Sequence, residues 1–499
     1  MTGEALPLLR LGTLDRVPGR SRPRADPRAL GLGIVHLGPG VFHRAHQAVF
    51  TEDTVAATGD TRWGITAVSQ RSAAVVAGLR RQDGLYTVLE RAEDVTSARV
   101  VGVIRAVASA AWDPAAIVAA VADPATTVVT MTVTEKGYRR DPATGGLRLT
   151  DPGIEADLAG RPPLTVVGQL ARGLQRRMQR DSGPLTMVCC DNLPGNGRVL
   201  ADLVGQFLAA LPAGEGSPVA DWAGRQAAFP VTMVDRIAPA PTGDDLATVA
   251  RLIGVADESA VVTEPFRQWV IEDRFAGPRP AWEAAGATLT RDVGPFEQAK
   301  LRLLNGSHSM LAYLGGLAGY QTVHEALRRP AFAAAVQRLM TDDVTPTLQV
   351  PDGMDVASYR SSVLTRFSNA ALPYTTAKVA MDGSQKLGPR LLGTVRDRLA
   401  TGAEPRWAAL AVAGWMRQTW RQTSDTGRPL PLDDPLAERI RTVAGAAATP
   451  VQAVDALLGI CDIFEPELAE SPLRGLLVDW MTAMDEHGTE EATAVVASQ

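Results

Sequence analysis

Two kinds of apolar pattern divide this chain. Between residues 34 and 190, short β-branched runs alternate with Ala-rich helical stretches such as 114–122. The runs are 34–37, 63–69, 98–104, 126–133 and 185–190. Such alternation is typical of a mostly parallel sheet covered by helices. After about residue 290 the apolar period becomes that of long helices. We predict an α/β fold, with an N-terminal Rossmann-type domain and a largely α-helical C-terminal domain.

Composition narrows the choice of partner. The 499 residues carry a formal net charge of -5, and Lys and Arg are dispersed along the chain. The sequence therefore gives no concentrated positive potential that would attract nucleic acid or anionic lipid. Cys189, Cys190 and Cys461 fit neither a disulfide framework nor a zinc spacing. No signal-peptide core and no apolar run of membrane-spanning length is recognisable. We expect a cytoplasmic monomer or small homo-oligomer that binds a small molecule and no metal.

A glycine turn follows the first strand-like run. Gly38 and Gly40 match the first two glycines of the dinucleotide fingerprint G-x-G-x-x-G, but His43 occupies the third position. Such a turn lets backbone N–H groups approach a pyrophosphate at a helix N-terminus. His43, Arg44 and His46 would add positive charge there. A purely structural tight turn is the alternative interpretation.

The choice of cofactor depends on the end of the second strand-like run. NAD-specific sites usually have an acidic residue there for the ribose hydroxyls, whereas this chain has Ser69, Gln70 and Arg71. Arg71 suits a 2'-phosphate, and it is equally compatible with a plain solvent-exposed charge. We predict NAD as the cofactor and keep NADP as the alternative.

These patterns predict three segments. Residues 1–30 are rich in Pro and Arg without periodicity, and we expect an irregular arm with little chemistry. Residues 31–290 are predicted to form the Rossmann-type NAD(P)-binding domain. Residues 291–499 are predicted to form a mostly α-helical substrate and catalytic domain.

The stretch AKLRLLNGSHSMLAYLG, residues 299–315, has a buried-helix pattern that contains Lys300, Asn305 and His308. At about 100° per residue, these three share one arc of roughly 140° with the leucines. Glu297 joins that face if the helix begins before it. Because buried polar groups need partners, four convergent ones indicate a site. A satisfied core histidine and a lysine reaching the edge form the alternative.

These residue types suit proton transfer at a hydroxyl group. Desolvation lowers the pKa of a lysine, so a neutral Lys300 can act as a general base. Asn305 can donate to the oxygen that becomes negative, and His308 can bind a neighbouring hydroxyl. Glu297 fits a proton relay. The set predicts a metal-free interconversion of an alcohol and a carbonyl.

Three other positions carry candidate polar groups. Asn192 follows a strand-like run, where a second oxyanion donor and an ordinary turn are both possible. Asp235 adjoins Arg236 in an apolar run, which is either a structural ion pair or a polyol contact. Arg366 suits bidentate contact with a hydroxyl or carboxylate, although a surface arginine in a loop is the usual case.

Eight segments taken in order resemble the polyol-specific long-chain dehydrogenase family of mannitol 2-dehydrogenases and fructuronate reductases. They are GPGVFHRAH, TVTEKGY, CDNLPGNG, MVDRI, EPFRQWVIED, KLRLLNGSH, RFSN and DGSQKL, and the similarity runs from about residue 30 to 390. The resemblance implies zinc-independent hydride transfer between NAD(P) and a sugar alcohol or aldonate, of the mannitol–fructose or mannonate–fructuronate type. The family's glycine turn also lacks the third glycine.

The resemblance further implies a role for each catalytic residue. Lys300 matches the general base, and Asn192 and Asn305 match the two asparagines that polarise the reacting oxygen. His308 matches the family's histidine, and Glu297 matches the acid linked to proton passage.

The binding residues are assigned on the same basis. Substrate contacts are expected from Asp235, Arg366, Asn192 and His308. Cofactor contacts are expected from Gly38, Gly40, Phe42, Arg71 and Glu135.

Three questions of function stay open at this point. Mannitol-type and mannonate-type substrates differ by a carboxylate, which needs a cationic partner such as Arg366 or Lys386. A hydroxyacid dehydrogenase with Lys and Asn on one helix would share the chemistry. A non-catalytic nucleotide-binding sensor would keep the fold, but it would leave the polar set on residues 299–315 unexplained.

Overall fold

A computed structural model describes residues 6–70, 72–93, 96–141, 144–372 and 374–497. The chain divides into two compact units, Met1–Val293 and Gly294–Gln499. The first unit combines strands and helices, whereas the described part of the second is built from helices. This element content confirms the predicted fold class.

Short β-branched runs supply the strands of the first unit. In chain order they are β1 (Ile34–Leu37), β2 (Ile65–Ser69), β3 (Tyr86–Arg91), β4 (Thr96–Val101), β5 (Ile104–Ser109), β6 (Val128–Met131), β7 (Leu185–Cys189), β8 (Ala227–Ala228), β9 (Thr232–Asp235), β10 (Val261–Thr263), β11 (Gln268–Glu272) and β12 (Thr288–Thr290). Six of them form one parallel sheet in the order β5-β2-β1-β6-β7-β8. β1, β6 and β7 are buried along their whole length, as expected for a sheet covered on both faces.

The strand order places a crevice in this sheet. It is the order of the doubly wound dinucleotide-binding folds, in which the direction of winding reverses between β1 and β6. Ligands of such sheets bind outside the carboxyl ends of the strands at that reversal. The crevice is therefore expected just beyond Leu37 and Met131.

Two three-stranded sheets, β10-β3-β4 and β12-β11-β9, belong to the same unit. The run 98–104, predicted as one strand, is split between sheets. Val101 ends β4, which is antiparallel to β3, and Ile104 begins β5, which is parallel to β2. A Cβ at Gly102 would lie 2.5 Å from Cγ of Pro27, so the chain changes sheets where it packs against the N-terminal arm.

The arm itself is held against the first unit. Leu9 and Val17 are buried, and the N–H of Leu9 donates to the carbonyl of Ala256 at 2.7 Å. Three short 3-10 helices follow one another along it, Leu11–Arg16, Gly19–Ser21 and Pro27–Ala29.

Capping side chains begin several helices of the first unit. Asp113 accepts the N–H of Ala116, and Thr165 accepts that of Gly168. The α-helices are α1 (Val41–Ala45), α2 (Gln47–Thr58), α3 (Ala73–Arg81), α4 (Pro114–Val121), α5 (Pro152–Leu158), α6 (Val166–Arg180), α7 (Asn196–Ala210), α8 (Ala213–Gln226) and α9 (Gly243–Ile253). Further 3-10 helices are Glu135–Tyr138 and Trp282–Ala285.

The second unit packs its helices around a long central one. The α-helices are α10 (Gly294–Ala299), α11 (Ser307–Leu317), α12 (Val323–Leu327), α13 (Pro330–Arg338), α14 (Val356–Phe367), α15 (Thr376–Ala380), α16 (Gly383–Leu387), α17 (Gly393–Ala400), α18 (Arg406–Arg421), α19 (Ala437–Gly445), α20 (Pro450–Leu458), α21 (Pro466–Ala469), α22 (Leu473–His487) and α23 (Thr489–Ala497). α18 is buried almost all round and packs against α11 and α22. Within the described residues, no helix is both long enough and apolar enough to cross a bilayer.

The second unit also contains a 3-10 helix, Thr345–Thr347, and three π-helical segments. The π-helical segments are Lys300–Gly306, Leu339–Val344 and Gly388–Leu392. Each one continues an α-helix, so the predicted helix over 299–315 exists but is not regular. π turns are rare and frequently mark functional sites. An apolar pattern with a period of 3.6 residues gives no sign of these π-helical segments.

Candidate active site

The crevice expected at the sheet reversal is present. A cavity of about 310 Å³ lies beyond the carboxyl ends of β1, β2 and β6, lined by Gly38 and Gly40, by Ser69 and Gln70, and by Thr132. Leu164–Val166, the N-terminal end of the fifteen-residue α6, also lines it. That helix end brings a positive dipole to the crevice, a contribution that the motif analysis missed.

The two glycines of the turn, Gly38 and Gly40, have different roles. Gly38 has a φ of 96°, and a Cβ there would lie 2.5 Å from the carbonyl oxygen of Thr132. Only glycine fits this position. Gly40 has an ordinary φ of -69°, and the nearest heavy atom to its Cβ position would be 3.9 Å away. The space at Gly40 is thus open to the cavity, as a site for close approach of a ligand requires.

The positive charge that we expected from the turn is absent. His43 is buried and stacks on His36 of β1 with ring centroids 3.3 Å apart. Burial lowers the pKa of His36 and His46 to about 3 and holds that of His43 well below its ordinary value. Arg44 is turned away, since Nη1 donates to the carbonyl of Ser259. The prediction of a basic turn was wrong, because these side chains pack inward and the imidazoles stay neutral.

The missing third glycine has a structural explanation. That glycine normally lets the helix pack closely on the first strand. Here the flat His43 ring fills the space against His36, and α1 is only five residues long. So short a helix contributes little dipole.

The end of β2 contains no described carboxylate. The hydroxyl of Ser69 donates to the carbonyl of Ser72 at 3.0 Å, and the amide of Gln70 pairs with that of buried Gln169 at 2.8 Å. Arg71, assigned to the cofactor, lies outside the described residues. The described residues at this strand end therefore do not distinguish NAD from NADP.

The other two residues assigned to the cofactor, Phe42 and Glu135, lie in different elements. Phe42 lies in α1, is half-buried and stacks on His46 with centroids 5.1 Å apart. Glu135 begins the 3-10 helix that ends at Tyr138, and its side chain is outside the part of the chain that the structure describes. Gly137 of the same helix lines the cavity.

The loop after β7 is held by an asparagine that the sequence analysis did not use. Asn196 is buried, and Nδ2 donates to the carbonyl of Thr232 at 3.0 Å while Oδ1 accepts the N–H of Thr232 at 3.0 Å. Tyr138 donates its hydroxyl to Asp191. Asn192 projects from this anchored loop and is exposed.

Asp235 ends β9 and is 6% exposed. Its neighbour Arg236 is buried and forms an ion pair with Glu90 at 2.5 Å, and it donates to the carbonyl of Glu264 at 2.8 Å. Arg236 is thus a structural ion-pair residue of the first unit.

In the second unit, the predicted polar set lies on the π-helical segment and the α-helix that continues it. Lys300 is 7% exposed and Asn305 is 9% exposed. Oδ1 of Asn305 is buried without a hydrogen-bond partner among the described residues. A buried amide oxygen without a hydrogen bond destabilises the folded protein unless a ligand supplies the missing donor. The leucines of the segment are largely buried, which keeps the surroundings of both polar groups apolar.

The π turn changes the angular argument made from the sequence. Backbone bonds in a π turn join residue i to residue i+5, so Lys300 and Asn305 lie one turn apart on the same face. In a regular α-helix they would diverge by roughly 140°. The assumed α geometry was wrong, and the actual geometry aligns this pair more closely.

Packing at Gly306 accompanies the π turn. A Cβ at Gly306 would lie 2.8 Å from the carbonyl oxygen of Arg390, which belongs to the π-helical segment Gly388–Leu392. Nη1 of Arg390 donates to Ser309 at 3.0 Å. Two π turns therefore lie against each other, and glycine permits the close approach.

Two aromatic residues surround His308, and neither was singled out from the sequence. Phe367 stacks on the imidazole with centroids 4.9 Å apart, and Tyr374 meets it edge-on at 5.4 Å. Arg366 directly precedes Phe367 in α14 and is 8% exposed. The segment RFSN is thus part of the His308 environment, and its aromatic residue was the signal available.

The other predicted residues of the second unit have separate settings. Glu297 lies in α10, one turn before Lys300, and is half-buried. Lys386 does not offer a free cation, since Nζ donates to the carbonyl of Met381 and to that of Val379 at 3.3 Å. Lys386 is therefore poorly suited to bind a substrate carboxylate.

No group of three or more His, Cys, Asp or Glu side chains that could hold a metal ion occurs in the described parts of the chain.

Comparison with protein families follows the division of the chain. The mannitol dehydrogenase Rossmann domain matches residues 32–284, and the mannitol dehydrogenase C-terminal domain matches residues 292–479. The chain belongs to the mannitol dehydrogenase family. This membership confirms the resemblance recognised from the eight segments.

Individual relatives agree with the family and differ in substrate. The uncharacterized oxidoreductase YdfI of Escherichia coli is 42% identical over 454 residues, 90% of this chain and 92% of its own. D-mannonate oxidoreductase of Escherichia coli is 39% identical over 482 residues, 95% and 98% of the two chains. The solved structure of Pseudomonas fluorescens mannitol 2-dehydrogenase with NAD and D-mannitol has a TM-score of 0.84 at 33% identity, covering 99% of this chain and 100% of its own. The chain is therefore an oxidoreductase of the mannitol and mannonate type.

Proposed function

We propose that this protein is an NAD(P)-dependent, metal-independent dehydrogenase that interconverts a sugar alcohol or aldonate and its keto form. The observation that carries the proposal is the π turn, because it aligns buried Lys300 with Asn305, whose amide oxygen has no partner among the described residues. Relatives named for mannitol and mannonate chemistry support the substrate class.

The crevice of the first unit fits a dinucleotide. Gly38 leaves no room for a side chain, Gly40 stays open to the cavity, and the N-terminus of α6 borders it. A mannitol 2-dehydrogenase of the same fold binds NAD, which supports NAD as the first choice. NADP stays possible because the described end of β2 contains no carboxylate. When bound, the cofactor supplies the hydride acceptor or donor.

The residues of the second unit have roles in proton transfer and orientation. Burial penalises the charged form of a lysine, which favours Nζ of Lys300 as the base that takes the hydroxyl proton during oxidation. Rotation of the Asn305 amide can present its N–H₂ to the oxygen as negative charge develops. In reduction the same lysine, protonated, returns the proton.

Other side chains are proposed to orient the substrate. His308, packed on Phe367, binds a hydroxyl next to the reacting carbon. Asn192 is a second donor to the reacting oxygen, Asp235 contacts substrate hydroxyls, and Glu297 passes the proton to solvent. These assignments follow the matching family motifs.

Substrate choice within the family depends on one cation. Arg366 is buried, and Lys386 donates to backbone carbonyls. If an aldonate is the substrate, Arg366 is the residue we propose for its carboxylate.

A substrate panel tests the proposal. Purified full-length protein is mixed with D-mannitol, other hexitols, D-mannonate and other aldonates, each with NAD and with NADP, and reduced cofactor is followed by its absorbance. The keto forms are tested in reverse. Activity with a polyol or aldonate is expected, and it should survive chelator treatment. Activity confined to small 2- or 3-hydroxy acids, or none with any substrate despite cofactor binding, would overturn the proposal.

A further inference from the structure

A second cavity of the first unit is dominated by arginine. Its volume is about 270 Å³, and it shares no lining residue with the cavity at Gly38. The N-terminal arm, α2, β3 and β4 all contribute to it. Its charged lining residues are Arg20, Arg24, Asp53, Glu90, Arg99 and Arg267.

The arginines of this cavity outnumber its available carboxylates. Asp53 is contacted by Arg24 at 2.9 Å, by Arg99 at 2.5 Å and by Arg267 at 2.7 Å. One carboxylate cannot neutralise three guanidinium groups. Arg20 has no ion pair or side-chain hydrogen bond within the described part of the chain.

Nearby acidic groups do not remove this excess. Glu90 is already paired with Arg236, whose side chain is fully buried. Glu52 lies behind Asp53, with Oε2 3.8 Å from Nη1 of Arg99. Burial raises the pKa of Glu52 to about 7, so near neutral pH it is only partly ionised.

Two of the guanidinium groups are held in place before any ligand binds. Arg267 lies over the ring of Phe50, 4.4 Å from its centroid, and donates to the carbonyl of Ala285 at 3.2 Å. Arg99 is 17% exposed in β4. Arg24 is 57% exposed and brings the arm to the cavity. Guanidinium groups fixed in this way can bind the oxygens of an oxyanion in bidentate fashion.

We propose that this cavity binds a small dianionic oxyanion, either inorganic phosphate or a phosphomonoester, at a site separate from the cofactor crevice. The uncompensated positive charge matches a dianion. The volume of about 270 Å³ is large enough for a phosphate group. The site is independent of the reaction proposed above.

Calorimetric titration of the full-length protein tests this site. Inorganic phosphate and a hexose monophosphate are titrated separately at constant ionic strength, each with and without saturating NADH. Saturable binding of either one, retained with NADH, is expected. Tighter binding of the ester identifies a sugar phosphate as the source of the anion, and equal binding identifies free phosphate. Absence of saturable binding, or its loss with NADH, would overturn the proposal.

Matched variants locate the site. Arg20→Ala removes a guanidinium that has no described partner, so it should weaken phosphate binding by about tenfold or more without lowering the thermal midpoint. Arg24→Lys keeps the charge but loses the planar fork, and it should also weaken binding. Arg16→Ala, an exposed position on the same arm outside the cavity, should leave binding unchanged. An equal effect of Arg16→Ala and Arg20→Ala would mean that only net charge matters, and the site would be rejected.

Discussion

The crevice of the first unit and the polar helix of the second are built by opposite means. At the crevice the turn is shaped by glycine, and the histidines are packed inward and neutral. On the helix, side chains carry the chemistry, and a π turn aligns Lys300 with Asn305. The difference teaches that a binding site made of backbone is sensitive to an added Cβ, whereas a side-chain site is sensitive to removal of a functional group.

The largest effect is expected from Lys300→Ala. Loss of the general base should lower kcat by roughly three orders of magnitude or more, because a single positioned base contributes a rate factor of this order. The Kd for NADH, measured by fluorescence titration, should stay nearly unchanged. Lys378→Ala, an exposed lysine of α15, is the control and should retain activity. Turnover at the wild-type level in Lys300→Ala would refute the assignment.

Asn305→Ala should lower kcat by about 10²–10³-fold, the usual cost of losing one donor to a developing oxyanion. Its thermal midpoint should change little, because Oδ1 has no described partner in the protein. Steady-state kinetics and calorimetry together check this split.

Asn196→Ala is the contrasting variant for Asn305. It leaves the N–H and carbonyl of Thr232 unpaired, so it should cost about 2 kcal/mol or more of unfolding free energy. If Asn305→Ala destabilised the protein as much as Asn196→Ala does, Asn305 would be structural.

The two glycines of the turn should separate folding from cofactor binding. Gly38→Ala places a Cβ 2.5 Å from the Thr132 carbonyl at a φ of 96°, so it should lower the unfolding free energy by about 2 kcal/mol or more. Gly40→Ala meets nothing within 3.9 Å and should leave the thermal midpoint intact while weakening NADH binding. Equal NADH affinity in Gly40→Ala and the wild type would remove Gly40 from the cofactor site.

The smallest effect concerns a buried acid of the first unit and depends on pH. Burial raises the pKa of Glu52 from 4.5 to about 7, so the folded state keeps the proton over a range in which the unfolded chain has lost it. Wild-type stability should therefore fall as pH rises from 4.5 to 7 and stay low above that range.

Glu52→Gln removes this dependence. The variant should match the wild type near pH 4 and exceed it in stability at pH 8, as measured by urea unfolding. Glu93→Gln, an exposed acid, should show no such difference. A Glu52→Gln protein less stable than the wild type at pH 8 would mean that the Arg99 contact outweighs the cost of burial.

Local signals were sufficient for several elements. The first strand was predicted at Ile34–Leu37 and occurs there, followed by the glycine turn. The strand predicted over 98–104 failed, because both β4 and β5 are β-branched and Gly102 between them gives no local sign of a change of sheet. The prediction of a basic turn was wrong because the local sequence does not indicate whether a histidine side chain faces solvent or the core.

The sequence by itself determined the fold class, the family and the identity of the polar set, since periodicity and ordered motifs are local properties. Only the tertiary structure decided that His36 and His43 stack as neutral rings, and that Lys386 donates to backbone carbonyls. It also decided that Lys300 and Asn305 share one face, through a π turn packed against a distant segment. Burial and helix register depend on contacts between residues far apart in the chain, and no local pattern encodes them.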